Sequence, residues 1–311
     1  MEWYYILLIA LFIITLLFFG ITYICYLLTF YVNRKKEKLK DEFELPSGEV
    51  YLQFKEVITN AMKNAKKMEC QNFYITSFDG LKLHAKYYEY EKNAPIEIMF
   101  HGYRGTALRD MSNGIERCFK MKHNALIIDQ RCSNESEGHT ISFGINEHKD
   151  CLSWIDFAIN HFGENSRLIL TGISMGAATV VMVANYDLPK NVIGILADCG
   201  YDSPKNIIKK VIKQIKLPPF IFYPFVKLGA KIFGRFNLEA YSSIEAVKNA
   251  KVPIIFFHGD TDTLVPYEMS NNLYELCNQK KKLVIIPNAG HGVAYLVDPD
   301  KYIQEFEDFL K

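Results

Sequence analysis

The chain opens on an apolar block without polar relief. Trp3 to Val32 carries no charge and almost no polar group. A hydrocarbon core about 30 Å thick needs roughly 20 such residues as a helix, so residues 1–32 are expected to form a transmembrane anchor. The run is too long for a signal-peptide core, no basic stretch precedes it and no A-x-A site follows. Aromatics at its ends, Trp3, Tyr4 and Tyr5, then Phe30 and Tyr31, read as interfacial belts. Arg34, Lys35, Lys36, Lys38 and Lys40 come next. By the positive-inside rule that flank, and the domain behind it, lie in the cytoplasm.

Residues 33–70 read as a charged linker with one amphipathic helix, in which Tyr51, Phe54, Val57, Ile58, Ala61, Met62 and Ala65 recur at helical spacing. From 71 to 311 the texture changes. Phe73–Phe78 and Leu81–Tyr88 predict a hairpin about Asp79-Gly80. Short apolar runs then follow at 96–100, 125–129, 168–170, 192–197, 254–257 and 283–286. Most are continuous rather than alternating, as in strands buried on both faces of a parallel sheet. Helical patterns at 146–161, 175–186 and 266–279 lie between them. The succession predicts an α/β class, a mostly parallel doubly wound sheet with helices on both faces. One connection is too long for a loop. Residues 201–250, with Lys205, Lys209, Lys210, Lys213 and Lys216 and then the aromatic stretch 218–225, read as a helical cap inserted over the strand ends. Those aromatics suit either cap core or a surface that binds acyl chains or touches a membrane.

Composition narrows the chemistry. A formal net charge of +1 gives no reason to expect nucleic acid as a partner. The seven cysteines are scattered, without CxxC or metal-ligand spacing, so no metal or organic cofactor is called for.

The nucleophile is sought at Gly172-Ile173-Ser174-Met175-Gly176, which follows a strand and opens a helical pattern. That is the context of a nucleophile elbow, where a strained turn projects the serine hydroxyl above the sheet. A serine needs a base oriented by a third group, and on this architecture the order is Ser, acid, His. His291, in Gly290-His291-Gly292, lies after the last strand. His258 ends an apolar strand and fits a hydrogen-bonded structural role better. Three acids are candidates: Asp198, Asp260 and Asp262. Spacing does not separate the last two, which share a loop at a strand's carboxyl end, where ligands of open α/β sheets bind. Two N–H groups must face the developing oxyanion; Met175 supplies one, and Tyr103 in His101-Gly102-Tyr103-Arg104-Gly105 the other.

These motifs together resemble the α/β-hydrolase superfamily and, within it, the membrane-anchored bacterial serine-aminopeptidase-like branch. The resemblance runs from about residue 70 to the C-terminus. It rests on H-G-Y-R-G at 101–105, D-x-R with S-x-G across 129–138, G-x-S-x-G at 172–176, G-D-x-D-x-x-V-P at 259–266 and G-H-G at 290–292. It implies that the acid is the second Asp of its loop, Asp262, with Asp260 fixing that loop, and it supports Tyr103 and Met175 as oxyanion donors. Where many relatives carry G-H-G after the Arg, this chain has Cys132-Ser133-Asn134, a departure at the rim of the site. The function expected is a membrane-anchored serine hydrolase of esters or thioesters using Ser174, His291 and Asp262, with a small-molecule or acyl-chain substrate. Its rivals are a peptidase or amidase on the same triad, an acyltransferase that differs only in the acceptor, and a non-catalytic scaffold that keeps the fold.

Overall fold

The computed structural model describes residues 3–34 and 43–311; Lys35, Lys36, Lys38 and Lys40 of the basic flank lie outside the described residues. Helix α1 (Trp3–Thr29) is long and apolar enough to cross a bilayer. Its described residues up to Ile21 are exposed, and from Thr22 onward one face enters the protein: Thr22, Tyr26, Phe30 and Val32 are buried, while Tyr23, Ile24 and Leu28 stay exposed. Phe30 is 0% exposed, with ring contacts to Phe143 and Phe236 at 5.8 and 5.3 Å. It therefore does not serve as an interfacial belt. Hydropathy scores an apolar side chain alike whether lipid or protein covers it, so the pattern alone does not separate the buried face at the end of α1 from the exposed one.

The amphipathic pattern of 51–65 breaks into two pieces, a short 3-10 helix (Glu49–Phe54) and α2 (Lys55–Lys67). The tighter 3-10 winding turns Tyr51 and Phe54 away from the α2 face that buries Ile58, Ala61, Met62 and Ala65. They pack instead with the C-terminal elements, and Val57 is exposed.

Strands β1 (Gln71–Thr76) and β2 (Lys82–Tyr88) form the expected antiparallel hairpin. Six parallel strands follow: β3 (Ile96–Phe100), β4 (Asn124–Asp129), β5 (Leu168–Ile173), β6 (Val192–Asp198), β7 (Ile254–Gly259) and β8 (Lys281–Ile286). The sheet order is β1-β2-β4-β3-β5-β6-β7-β8. Crossovers run through α3 (Ala107–Lys120), α4 (Glu147–Phe162), α5 (Met175–Met182) and α9 (Tyr267–Leu276); α10 (Ala294–Val297) and α11 (Pro299–Leu310) follow β8. The two sheet faces carry separate apolar clusters, one around Trp154 and Val180, the other around Ile255 and Phe306. The connection from β6 to β7 holds α6 (Pro204–Gln214), α7 (Pro219–Ile232) and α8 (Ser243–Lys248). Side chains of α6 and α7 share one apolar cluster with Tyr26 and Phe30 at the end of α1 and with Met175 beside the candidate nucleophile.

Candidate active site

Ser174 sits between β5 and α5 with φ 55° and ψ −115°, a backbone conformation that L-residues rarely hold without support from their surroundings. The support is visible. Ser174 N–H donates to the Asp198 carbonyl at 2.8 Å, and glycine occupies two close backbone approaches beside it. A Cβ on Gly172 would lie 2.2 Å from the Gly176 carbonyl, and one on Gly176 would lie 1.9 Å from the Phe100 oxygen. The G-x-S-x-G spacing is thus a packing requirement between β5, α5 and the end of β3.

His291, in the loop after β8, lies with Nε2 2.9 Å from Ser174 Oγ and Nδ1 2.7 Å from Asp262 Oδ2. A carboxylate only accepts, so Nδ1 carries the proton and Nε2 is left with a lone pair facing the serine hydroxyl. Asp262 is buried, and its Oδ1 accepts the Leu264 and Val265 N–H groups, each at 2.9 Å. Burial pushes its carboxyl pKa up, but hydrogen bonds from His258 and His291 outweigh that and hold it well below the usual carboxylate range. His258 Nε2 must donate, because it faces the Val265 carbonyl at 2.8 Å; Asp262 Oδ2 lies 3.2 Å from the same nitrogen, and Ser270 donates to Nδ1. The imidazole therefore braces the loop that holds Asp262.

The other two acids have different neighbours. Asp260 accepts the Asn288 N–H at 2.7 Å, tying its loop to the one after β8. Asp198 accepts the Tyr302 hydroxyl at 2.9 Å, and burial raises its carboxyl to about 6.

The loop after β3 closes over the serine. Gly102 stands so near that a Cβ there would be 3.5 Å from Ser174 Cβ, and Asp110 fixes it by accepting the Gly102 N–H at 3.0 Å. Tyr103 follows directly. On the other side Met175 opens α5, where first-turn N–H groups have no partner within the helix. A cleft reaches Ser174 and His291 between Gly102, Tyr51, Leu264 and Leu296. Its spacing assigns Tyr51 to helix packing, but the 3-10 turn brings it to the cleft, a placement with no signal in the period. Arg131 of the D-x-R segment is held by Asp150, at 2.7 and 2.8 Å, and by Asp79, so it ties the hairpin to α4.

Residues 148–295 match the family model of FSH1 serine hydrolases. The chain is 22% identical to the uncharacterized protein YqkD of Bacillus subtilis over 81% of its own length and 82% of that protein's. It is 24% identical to lysophosphatidylserine lipase ABHD12 of Danio rerio, over 68% of this chain and 54% of that one. Among solved structures, the esterase Pf2001 of Pyrococcus furiosus superposes with a TM-score of 0.64 at 24% identity, covering 79% of this chain and 92% of the esterase. Fold, elbow and matches together define an enzyme of the hydrolase class. The chain has the fold of the α/β-hydrolases, and residues 148–295 are similar to the FSH1 serine hydrolases among them.

Proposed function

We propose that this chain is a membrane-anchored serine hydrolase that cleaves a carboxylic ester or thioester through an acyl-enzyme on Ser174. The observation that carries the reading is the continuous relay from Ser174 Oγ through His291 to Asp262, at 2.9 and 2.7 Å. His291 Nε2 takes the hydroxyl proton as Ser174 Oγ attacks the carbonyl carbon. The N–H groups of Tyr103 and Met175 receive the oxyanion, and Asp262 stabilises the imidazolium without taking its proton. His291 then protonates the leaving alcohol or thiol, and water, activated by the same imidazole, releases the acid.

An acyl-bearing substrate is favoured by the apolar residues in the cleft wall, Ile58, Met99, Met111 and Leu264 among them, and by the end of α1 packing beside Tyr103. The esterase and the lipase named above act in the same chemistry. In this reading α1 is the anchor, the basic flank after it keeps the domain in the cytoplasm, and residues 201–250 form a cap.

The test is fluorophosphonate labelling of the full-length chain beside Ser174→Ala and His291→Ala. Labelling that disappears in both variants, followed by faster turnover of acyl esters than of matched peptide amides, is the expected result. A folded chain that takes no label would favour the non-catalytic scaffold, and faster amide turnover would move the reading to a peptidase.

A further inference from the structure

The inserted helix α7 runs alongside α1, and their contacts fix its register. Phe225 meets Phe18 with ring centroids 5.3 Å apart. One turn on, Gly229 comes so close that a Cβ there would lie 2.9 Å from the Thr22 carbonyl and 3.1 Å from Tyr26 Cβ. A further turn on, Phe233 meets Tyr23 and Tyr26 at 4.9 and 5.8 Å. Residue numbers rise together on both helices, so they are parallel. Glycine at 229 allows the close backbone approach that helix pairs use where lipid, not water, surrounds them.

The register extends in both directions. Toward the N-termini it sets Phe220 and Ile221 beside the stretch Phe12 to Ile14 of α1, roughly 7 Å beyond the level of Phe18 at 1.5 Å per residue. Phe220 is 80% exposed, and Ile215, Leu217, Ile221 and Val211 are exposed around it. They join the end of α6 to the start of α7 in one apolar tip. Toward the C-termini it sets Lys227 level with Gly20 and Lys231 level with Ile24. No charged residue occurs on α7 from Pro219 to Val226. The first charges on α7 thus fall near the level of Thr22, the first buried residue of α1, beyond which one face of α1 packs into the domain through Tyr26 while Tyr23, Ile24 and Leu28 stay exposed. The uncharged part of α7 therefore lies beside the part of α1 that is exposed all round.

We propose that the α6–α7 tip, centred on Phe220 and Ile221, is inserted into the acyl region of the same bilayer leaflet that α1 enters. The proposal rests on α1 being a membrane span. Phe220 and Ile221 then occupy lipid, while Lys227 and Lys231 lie at headgroup level. Lys213 and Lys216, exposed next to the tip in sequence, would then have to extend their aliphatic stems back to the headgroups. The tip is also coupled to the site. Gln214 donates to the Thr263 carbonyl at 2.7 Å and Lys210 to the Leu264 carbonyl at 2.7 Å, both in the loop that holds Asp262.

Single tryptophans in the full-length chain, reconstituted in vesicles containing acyl-brominated phosphatidylcholine, test the depth. Trp3 is replaced by Phe and the buried Trp154 is kept as a constant background. Phe12→Trp reports the span, Phe220→Trp the tip, and Tyr90→Trp the opposite end of the sheet. The expected result is that Phe220→Trp loses about as much fluorescence as Phe12→Trp while Tyr90→Trp loses none. Quenching of Phe12→Trp without Phe220→Trp would overturn the inserted tip and leave the anchor standing. Quenching of neither would remove both.

Discussion

The Tyr103 hydroxyl donates a hydrogen bond to the Thr29 carbonyl at 2.7 Å, so the loop that closes over Ser174 caps the end of the apolar helix. Arg104 adds bonds to the Leu28 and Tyr31 carbonyls at 3.2 and 3.0 Å. Together they satisfy C-terminal carbonyls that a helix leaves unpaired.

It follows that a fragment beginning at residue 33 should be less stable than the full chain. It loses Tyr26, Phe30 and Val32 from the core together with the partners of Tyr103 and Arg104. Phe30→Ala in the full chain should cost about 3–5 kcal/mol, and the fragment should melt well below the full chain in the same detergent. Equal melting temperatures would mean that the end of α1 contributes no packing.

Asp262→Asn should lower kcat by about 10,000-fold with little change in fold, because an amide in this position can donate to Nδ1 and favour the wrong imidazole tautomer. Steady-state turnover of an acyl ester, with circular dichroism as the check on folding, reads the effect. Loss of less than tenfold would remove Asp262 from the relay.

Asp198 gives a pH signature of stability. Its folded-state pKa, about 6 through burial, stands above the unfolded value of about 4. The folded chain binds the extra proton, so this contribution is full below about pH 4 and is lost as pH rises through about 6. Asp198→Asn should therefore stabilise the protein by about 2–3 kcal/mol at pH 8 and leave it nearly unchanged at pH 4. Chemical denaturation at the two pH values decides it; a gain of equal size at both would exclude titration of Asp198 as the cause.

Glu97, inside β3, is buried and accepts from Arg117, from His123 at 2.9 Å and from Thr171 at 2.8 Å. Burial would raise its pKa, but Arg117 and His123 hold it down to about 2. Arg117→Met should cost about 3–5 kcal/mol by stranding that carboxylate, and adding Glu97→Leu should restore most of the loss. Denaturant midpoints of the single and double variants measure both effects. A double variant no better than the single would show that the cost comes from lost packing of Arg117 itself.

The sheet was legible because burial on both faces leaves uninterrupted apolar runs, and the elbow because its glycines stand where backbone meets backbone. The meeting of Ser174, His291 and Asp262 follows from their order along strand ends. What escaped the pattern depends on partners distant in sequence. Glu97 within Ile96-Glu97-Ile98 carries no sign of Arg117, which arrives from α3. Tyr51 reaches the cleft only because 3-10 winding shifts its angle. The exposed tip at Phe220 and the buried Tyr223 lie in one aromatic stretch, and only tertiary packing, with Glu239 and Lys209 against Tyr223, separates them.

The close approach of Gly229 to Thr22 and Tyr26, with the capping of α1 by Tyr103 and Arg104, means that the chain is locked to the domain before its charged segment begins. The domain therefore cannot pivot on a tether. It keeps one fixed attitude to whatever surrounds α1, and the mouth of its cleft stays at a constant height and bearing. With α1 in a bilayer, as proposed above, its encounters with substrate would become a search across a plane rather than through a volume.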